Sequence, residues 1–243
     1  MGVDIGGSGI KGAPVDLALG ALTTMRHRIK TPQPSTPDAV AETVAELVKY
    51  FEWGGPIGVT FPAIIKHGVV HTAANVDDSW IGVDADALFM AATSCPVTVI
   101  NDADAAGIAE MRVGAGKDQA GVVIVLTFGT GIGSGMFVDH RLVPNTELGH
   151  LELGGIVAEH FTAGRIHEEE DLSFEEWGKR VRRYLTHLER LFAPDLFIIG
   201  GGISKHFGEY AHVLDGGTRV VPAALRNDAG IVGSAMIAGD RSG

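Results

Sequence analysis

GVDIGGSGIKG, residues 2–12, is the stretch on which the fold turns. A short apolar run, Val3–Ile5, leads into Gly6, Gly7, Ser8 and Gly9, with Asp4 inside the run and Lys11 just beyond it. Backbone this rich in glycine can approach an anion closely. By spacing alone, Gly7, Gly9 and Gly12 match the dinucleotide fingerprint G-x-G-x-x-G. That fingerprint needs a helix starting at the glycines, its N-terminus on the pyrophosphate. The next residues are Lys11-Gly12-Ala13-Pro14-Val15-Asp16, and glycine and proline so close together oppose a helix interior. Ile10, Ala13 and Val15 suit a second strand returning beside the first. The P-loop pattern G-x-x-x-x-G-K-[ST] is absent from the sequence. Strand–turn–strand is therefore expected, either as a plain hairpin or as a clamp whose N–H groups and Ser8 hold phosphate. Asp4 favours the clamp, because a carboxylate one residue away from paired glycines is placed to hold a metal-bound water beside a phosphate.

A second glycine-rich stretch, TFGTGIGSG at 127–135, also comes after an apolar run, about half a chain later. Strand-like runs occur at Val3–Ile5, Ile57–Thr60, Val97–Ile100, Val122–Phe128 and Leu196–Ile199. Helical patterns lie between them. Residues 38–52 place Val40, Val44, Leu47, Val48 and Phe51 on one face, with Thr36 as cap and Pro37 at the first helical position. Residues 103–112 and 174–192 read as further helices, the latter with Trp177, Val181, Leu185, Leu188 and Leu191 on its apolar side. Alternating strands and helices indicate an α/β architecture. Two similar lobes facing a cleft are expected: 1–103 as a small N-terminal lobe with the first glycine loop, and 104–243 as a larger C-terminal lobe with the second. The last helix is expected to pack back on the small lobe.

Composition excludes several classes. The 243 residues are 45% hydrophobic and 20% charged, ordinary for a globular chain, and no apolar run approaches the length of a membrane span. A net charge of −11 argues against a general nucleic-acid binder. Cys95, the single cysteine, rules out an intrachain disulfide and a cysteine-rich zinc site. A signal-peptide pattern is missing at the N-terminus, so a cytoplasmic protein is expected.

Two further stretches carry chemistry. Val97–Ile100 runs into Asn101-Asp102-Ala103-Asp104 and then a helix. Asn and Asp are good helix caps, and a strand-end aspartate is also placed to accept a proton from a substrate hydroxyl. Two aspartates and an asparagine exceed what one cap requires. Downstream, Glu147-Leu-Gly-His150-Leu-Glu152 has the spacing of half a metal site but lacks the remaining ligands. Such a polar set suits a polyol, whose hydroxyls both donate and accept.

Taken together, DIGGSGIKG (4–12), TPQPSTP (31–37), HTAANVDDSW (71–80), NDADAAGIAE (101–110), LTFGTGIGSG (126–135), NTELGHLEL (145–153), FIIGGGIS (197–204) and NDAGIVGSAM (227–236) resemble the ROK family of bacterial sugar kinases and repressors, and within it the polyphosphate-using glucokinase group of actinobacteria. The resemblance implies the actin-like ATPase (ribonuclease H-like) fold, two lobes with an interlobe cleft. It implies Asp4, Gly6, Gly7, Ser8 and Lys11 as the first phosphate loop, with Asp4 near Mg²⁺ through water, and Gly129, Thr130, Gly131 and Gly133 as the second. Asp102 would be the general base on the sugar's 6-hydroxyl, with Asn101 beside it. Glu147, His150, Glu159 and Asn75 would hold the sugar, and Gly200, Gly201 and Gly202 would lie along the donor. Most of the family carries a Cys-x-Cys-Gly-x-x-Gly-Cys zinc motif that this chain lacks, as the polyphosphate group does, so no zinc site is expected. With no helix-turn-helix segment ahead of the Val3 strand in this sequence, a repressor is not expected.

The implied activity is phosphorylation of glucose with inorganic polyphosphate, ATP or both, by a homodimer. The alternatives are an ATP-only hexokinase of the family, a non-catalytic sugar-binding regulator, and a nicotinamide-dependent oxidoreductase, though for the last the basic segment 25–30 stands where an acidic residue is needed. TPQPSTP occupies the family's polyphosphate segment, and it also reads as a proline-rich lead-in to the helix over 38–52. A polyanion needs cations, and Arg26, Arg28, Lys30, Lys11 and Lys66 are available, each equally readable as a solvated surface charge.

Overall fold

A computed structural model describes residues 1–73 and 76–241. Strands β1 (Gly2–Gly6) and β2 (Gly9–Ala13) pair antiparallel, Asp4 opposite Lys11 and Gly6 opposite Gly9, so the turn is Gly7-Ser8. The strand–turn–strand expected from Lys11-Gly12-Ala13-Pro14 is what the backbone forms. β3 (His27–Ile29) adds antiparallel to β2. After helix α1 (Pro37–Tyr50), β4 (Ile57–Phe61) runs parallel to β1, and after α2 (Ala85–Thr93), β5 (Val97–Asn101) runs parallel to β4. The sheet order is β3-β2-β1-β4-β5, and α3 (Asp102–Val113) starts directly at the end of β5. Pro37 opens α1 as expected, but Thr36 is extended at the cap position and its hydroxyl makes no capping bond.

Period-two alternation gives this sheet two different faces. Val3, Ile5, Val59 and Phe61 pack into a core with Val44 and Leu47 of α1 and Phe89 of α2. The other face carries Gly2, Asp4, Gly58 and Thr60, small or polar side chains that let the C-terminal helix Ala229–Asp240 lie backbone-close on β1 and β4. A Cβ on Gly58 would fall 1.7 Å from the Ser234 carbonyl oxygen, so only glycine fits there.

The same plan is built again downstream. β6 (Val122–Phe128) and β7 (Ile132–Val138) pair antiparallel around the turn Gly129-Thr130-Gly131, and β8 (Arg141–Val143) extends β7 antiparallel. Helix α4 (Phe174–Phe192) leads to β9 (Leu196–Gly200), parallel to β6, and then β10 (Val220–Pro222), parallel to β9. The order β8-β7-β6-β9-β10 repeats the first sheet strand for strand. α4 starts at a Ser173/Glu176 capping box, which satisfies two orphan N–H groups. Trp177, Val181, Leu185 and Leu188 are fully buried in its core, whereas Leu191 is exposed in the last turn.

The chain divides into two units, Met1–Ala109 with Asp228–Gly243, and Glu110–Asn227. The break expected at 103/104 and the division at 109/110 both lie inside α3, which runs unbroken from the end of β5. The C-terminal helix belongs to the first unit, whose open sheet face it covers. Among the described residues no helix is long and apolar enough to cross a membrane.

Candidate active site

In the first unit, strand register brings three polar side chains together. Asp4 stands opposite Lys11 on β2 and Thr60 on β4. Its Oδ1 accepts a hydrogen bond from Thr60 Oγ1 at 2.7 Å, and its Oδ2 lies 3.0 Å from Lys11 Nζ. Gly230, at the start of the C-terminal helix, passes within van der Waals reach of the same carboxylate, so the positive end of that helix adds to its stabilisation. The Lys11 ammonium, expected in the phosphate loop, is paired with Asp4. Gly7 and Ser8 are exposed at the turn, and the Gly6 carbonyl accepts from Thr31 Oγ1 at 2.5 Å.

Thr31 opens TPQPSTP, so this hydrogen bond ties the proline-rich segment to the first hairpin. Gly6, Gly7, Thr31, Gln33, Ser35 and Asp77 are among the residues lining a cavity of about 270 Å³, in which Asp77 is the one charged residue among the described lining. Asn75, expected at the sugar, lies outside the described residues.

At the end of β5, the side chains of the Asn-Asp pair part, one buried and one exposed. Asn101 is 8% exposed; its Oδ1 accepts from the N–H groups of Ala103 and Asp104 at 2.9 and 3.1 Å, and its Nδ2 donates to the Ala63 carbonyl at 3.1 Å. It caps α3 and fixes the strand end. Asp102, one residue on, is exposed, with Oδ1 accepting from the Ala103 N–H at 2.9 Å.

In the second unit, four of the expected elements come together around the hairpin of β6 and β7. Arg165 holds the turn through its backbone N–H on the Gly129 carbonyl at 3.1 Å and its Nε on the Thr130 carbonyl at 2.6 Å. Gly201, at positive φ, lies against the Phe128 backbone, where a Cβ would be 2.3 Å from the carbonyl oxygen, so the Gly200–Gly202 turn abuts the hairpin base. Gly133 sits in β7 opposite Thr127. Glu159 accepts from the Ile132 N–H at 3.4 Å and lies 3.7 Å from His150 Nε2.

Ser134, 2% exposed, positions the Glu147–His150 turn. Its hydroxyl donates to the Thr146 carbonyl and accepts from the Leu148 N–H at 3.0 Å, and the Thr146 hydroxyl donates back to the Ser134 carbonyl at 3.0 Å. A serine in an otherwise glycine and apolar strand was the available signal for this role. His160, 3.9 Å from Glu159, joins the cluster without any motif to announce it.

Partial desolvation raises the carboxyl of Glu147, a residue still exposed at the surface, above the usual range; His150 lowers it and Glu159 raises it further. A raised carboxylate costs stability once ionised, so its contribution is complete at low pH and is lost as pH rises through the shifted value. Glu147→Gln should therefore melt higher than the parent at pH 7. The difference should vanish below about pH 4, where both side chains are neutral. Equal melting at both pH values would show that this carboxylate is not strained.

Among the described residues no group of three or more His, Cys, Asp and Glu is placed to hold a metal. The lone carboxylate Asp4 does suit Mg²⁺, which keeps most of its waters and takes one or two carboxylates beside substrate phosphates.

A family model for ROK matches residues 1–170. The chain belongs to the ROK family. This ROK protein is 54% identical to the polyphosphate glucokinase of Mycobacterium tuberculosis (strain H37Rv) over 237 residues, 97% of this chain and 89% of that one. The crystal structure of an inorganic polyphosphate/ATP-glucomannokinase from Arthrobacter sp. strain KM superposes with a TM-score of 0.93 at 53% identity, covering 99% of this chain and 98% of that one. A ROK family glucokinase from Streptomyces griseus shares the fold, with a TM-score of 0.80 at 24% identity over 100% of this chain and 99% of that one. These neighbours give the ROK chain the actin-like ATPase fold, to which its two sheets of identical strand order conform.

Proposed function

We propose that this ROK protein transfers a phosphoryl group from inorganic polyphosphate, and from ATP, to the 6-hydroxyl of glucose. The observation that carries this is the near-full-length likeness, above half identity, to a polyphosphate glucokinase and a polyphosphate/ATP-glucomannokinase. The local geometry agrees with it. Asp102 takes the proton of the 6-hydroxyl as general base, its carboxylate exposed because Asn101 does the capping. Glu147, His150 and Glu159 hold ring hydroxyls, with His160 steadying Glu159. The N–H groups of the turns Gly7-Ser8 and Gly129-Thr130-Gly131 hold donor phosphates, and Gly200–Gly202 lies along the donor. Asp4 would hold Mg²⁺ through water, which supplies charge neutralisation to the phosphates. Positioning and electrostatics then account for most of the rate. The proposal includes a cytoplasmic homodimer.

A coupled assay with glucose, Mg²⁺ and either donor tests it. Glucose 6-phosphate should form with polyphosphate and with ATP. Transfer from ATP alone would remove polyphosphate from the proposal, and transfer from neither would leave a sugar-binding regulator.

A further inference from the structure

Both glycine hairpins carry an arginine on a turn carbonyl, but the two guanidinium groups differ in charge balance. At the second hairpin Arg165 binds the Thr130 carbonyl, and its Nη1 pairs with both carboxylate oxygens of Glu169 at 2.9 and 3.2 Å. Its charge is offset. At the first hairpin Arg28 stands on β3 opposite Lys11 and reaches back to the turn, where Nη2 donates to the Ser8 carbonyl at 2.7 Å and Ser8 Oγ at 3.2 Å. Among the described residues no carboxylate pairs with Arg28, and its Nε and Nη1 make no hydrogen bond. The hairpin's other cation, Lys11, is matched by Asp4 at 3.0 Å. Arg28 is thus an exposed, anchored guanidinium with an uncompensated charge and spare donors, set at the tip of a glycine turn.

The anchoring is built into the sequence. A Cβ on Gly9 would fall 2.3 Å from Arg28 Nε and 2.6 Å from Cζ, so the guanidinium lies directly on the glycine backbone. The cavity walled by Gln33 and Ser35 offers an anion no such partner, since its charged lining residue is Asp77.

We propose that Arg28, in place of Lys11, is the cation that binds donor phosphate at the first hairpin. This rests on the phosphotransferase activity proposed above. A guanidinium presents paired N–H donors that match two phosphate oxygens at once, and a pre-positioned one loses little side-chain entropy on binding. TPQPSTP then braces the turn through Thr31, and the polyanion meets its positive charge at Arg28.

Arg28→Ala should raise the KM for polyphosphate on the order of tenfold to a hundredfold, the range of a charged hydrogen bond, with the glucose KM within about twofold. Gly9→Ala keeps the charge but displaces the guanidinium. The clash meets the free end of a flexible side chain, so this variant should fold and lose donor affinity in the same way. Arg28→Ala added to Gly9→Ala should cost little more than Arg28→Ala alone. Calorimetric titration with tripolyphosphate, beside circular dichroism, reads donor binding directly if turnover is too slow to measure. A donor KM and tripolyphosphate affinity within about twofold of the parent in Arg28→Ala would overturn the proposal, as would losses from Gly9→Ala and Arg28→Ala that multiply. A parent protein that transfers nothing from polyphosphate would instead overturn the activity itself.

Discussion

Asp102→Asn is expected to lower kcat for glucose phosphorylation by about three orders of magnitude, with glucose affinity within about threefold of the parent. The substitution keeps the shape and removes the proton acceptor. The fold should tolerate it, because the capping bonds that start α3 come from Asn101 Oδ1 to the N–H groups of Ala103 and Asp104. Asp102 is exposed, so an amide there buries no unsatisfied group. Rapid-quench turnover, together with calorimetric titration of glucose into the variant, separates lost chemistry from lost binding. A variant keeping more than about a tenth of the parent kcat would remove Asp102 from the role of base.

About two turns further along the same helix, the opposite outcome is expected. Glu110 is 1% exposed and accepts from three backbone N–H groups: Ala115 at 2.8 Å, Ala224 at 3.0 Å and Leu225 at 2.8 Å. Ala224 and Leu225 belong to the segment just after β10, so this carboxylate pins a distant stretch of chain to the end of α3. Glu110→Ala leaves these donors without their acceptor in a buried site, at a cost of about 3–5 kcal/mol. Melting should fall by about 10 °C, monitored by circular dichroism. Glu110→Gln keeps one acceptor oxygen and should fall less. Unchanged melting in the alanine variant would mean that water replaces the carboxylate and the segment is held by other contacts.

Much of the fold was legible in the sequence. The five apolar runs all became strands, and the helices expected at 38–52, 103–112 and 174–192 formed within two residues of those bounds. These features rest on local rules: alternation, helical spacing, capping, and a Gly-Pro pair that stops a helix. Less visible were β3 and α2. β3 lies in a basic segment with no apolar run, and α2, over ADALFMAAT, buries only Ala85 and Phe89 and so has a weak amphipathic pattern.

The candidate site was legible in its motifs and illegible in its pairings. Asp102 and Glu147–His150 stand out by residue type and spacing. Lys11 stands out equally, yet its ammonium is paired with Asp4, because antiparallel register sets the two side by side on one face. His160 and Arg165 lie outside every motif, and Ser134 and Glu110 lie inside two of them with nothing to mark their partners Thr146 and Leu225, 12 and 115 residues away.

The sequence by itself determined that GVDIGGSGIKG is a hairpin and not the entry to a Rossmann helix, since Lys11-Gly12-Ala13-Pro14 cannot continue as one. It also determined the α/β architecture and the ROK relationship, which its ordered motifs carry. Only the tertiary structure decided which charges cancel and which remain: Lys11 stands against Asp4 and Arg165 against Glu169, whereas among the described residues no carboxylate pairs with Arg28. Charge balance depends on distances between side chains from different strands and helices. Register and packing set those distances, and no local spacing encodes them.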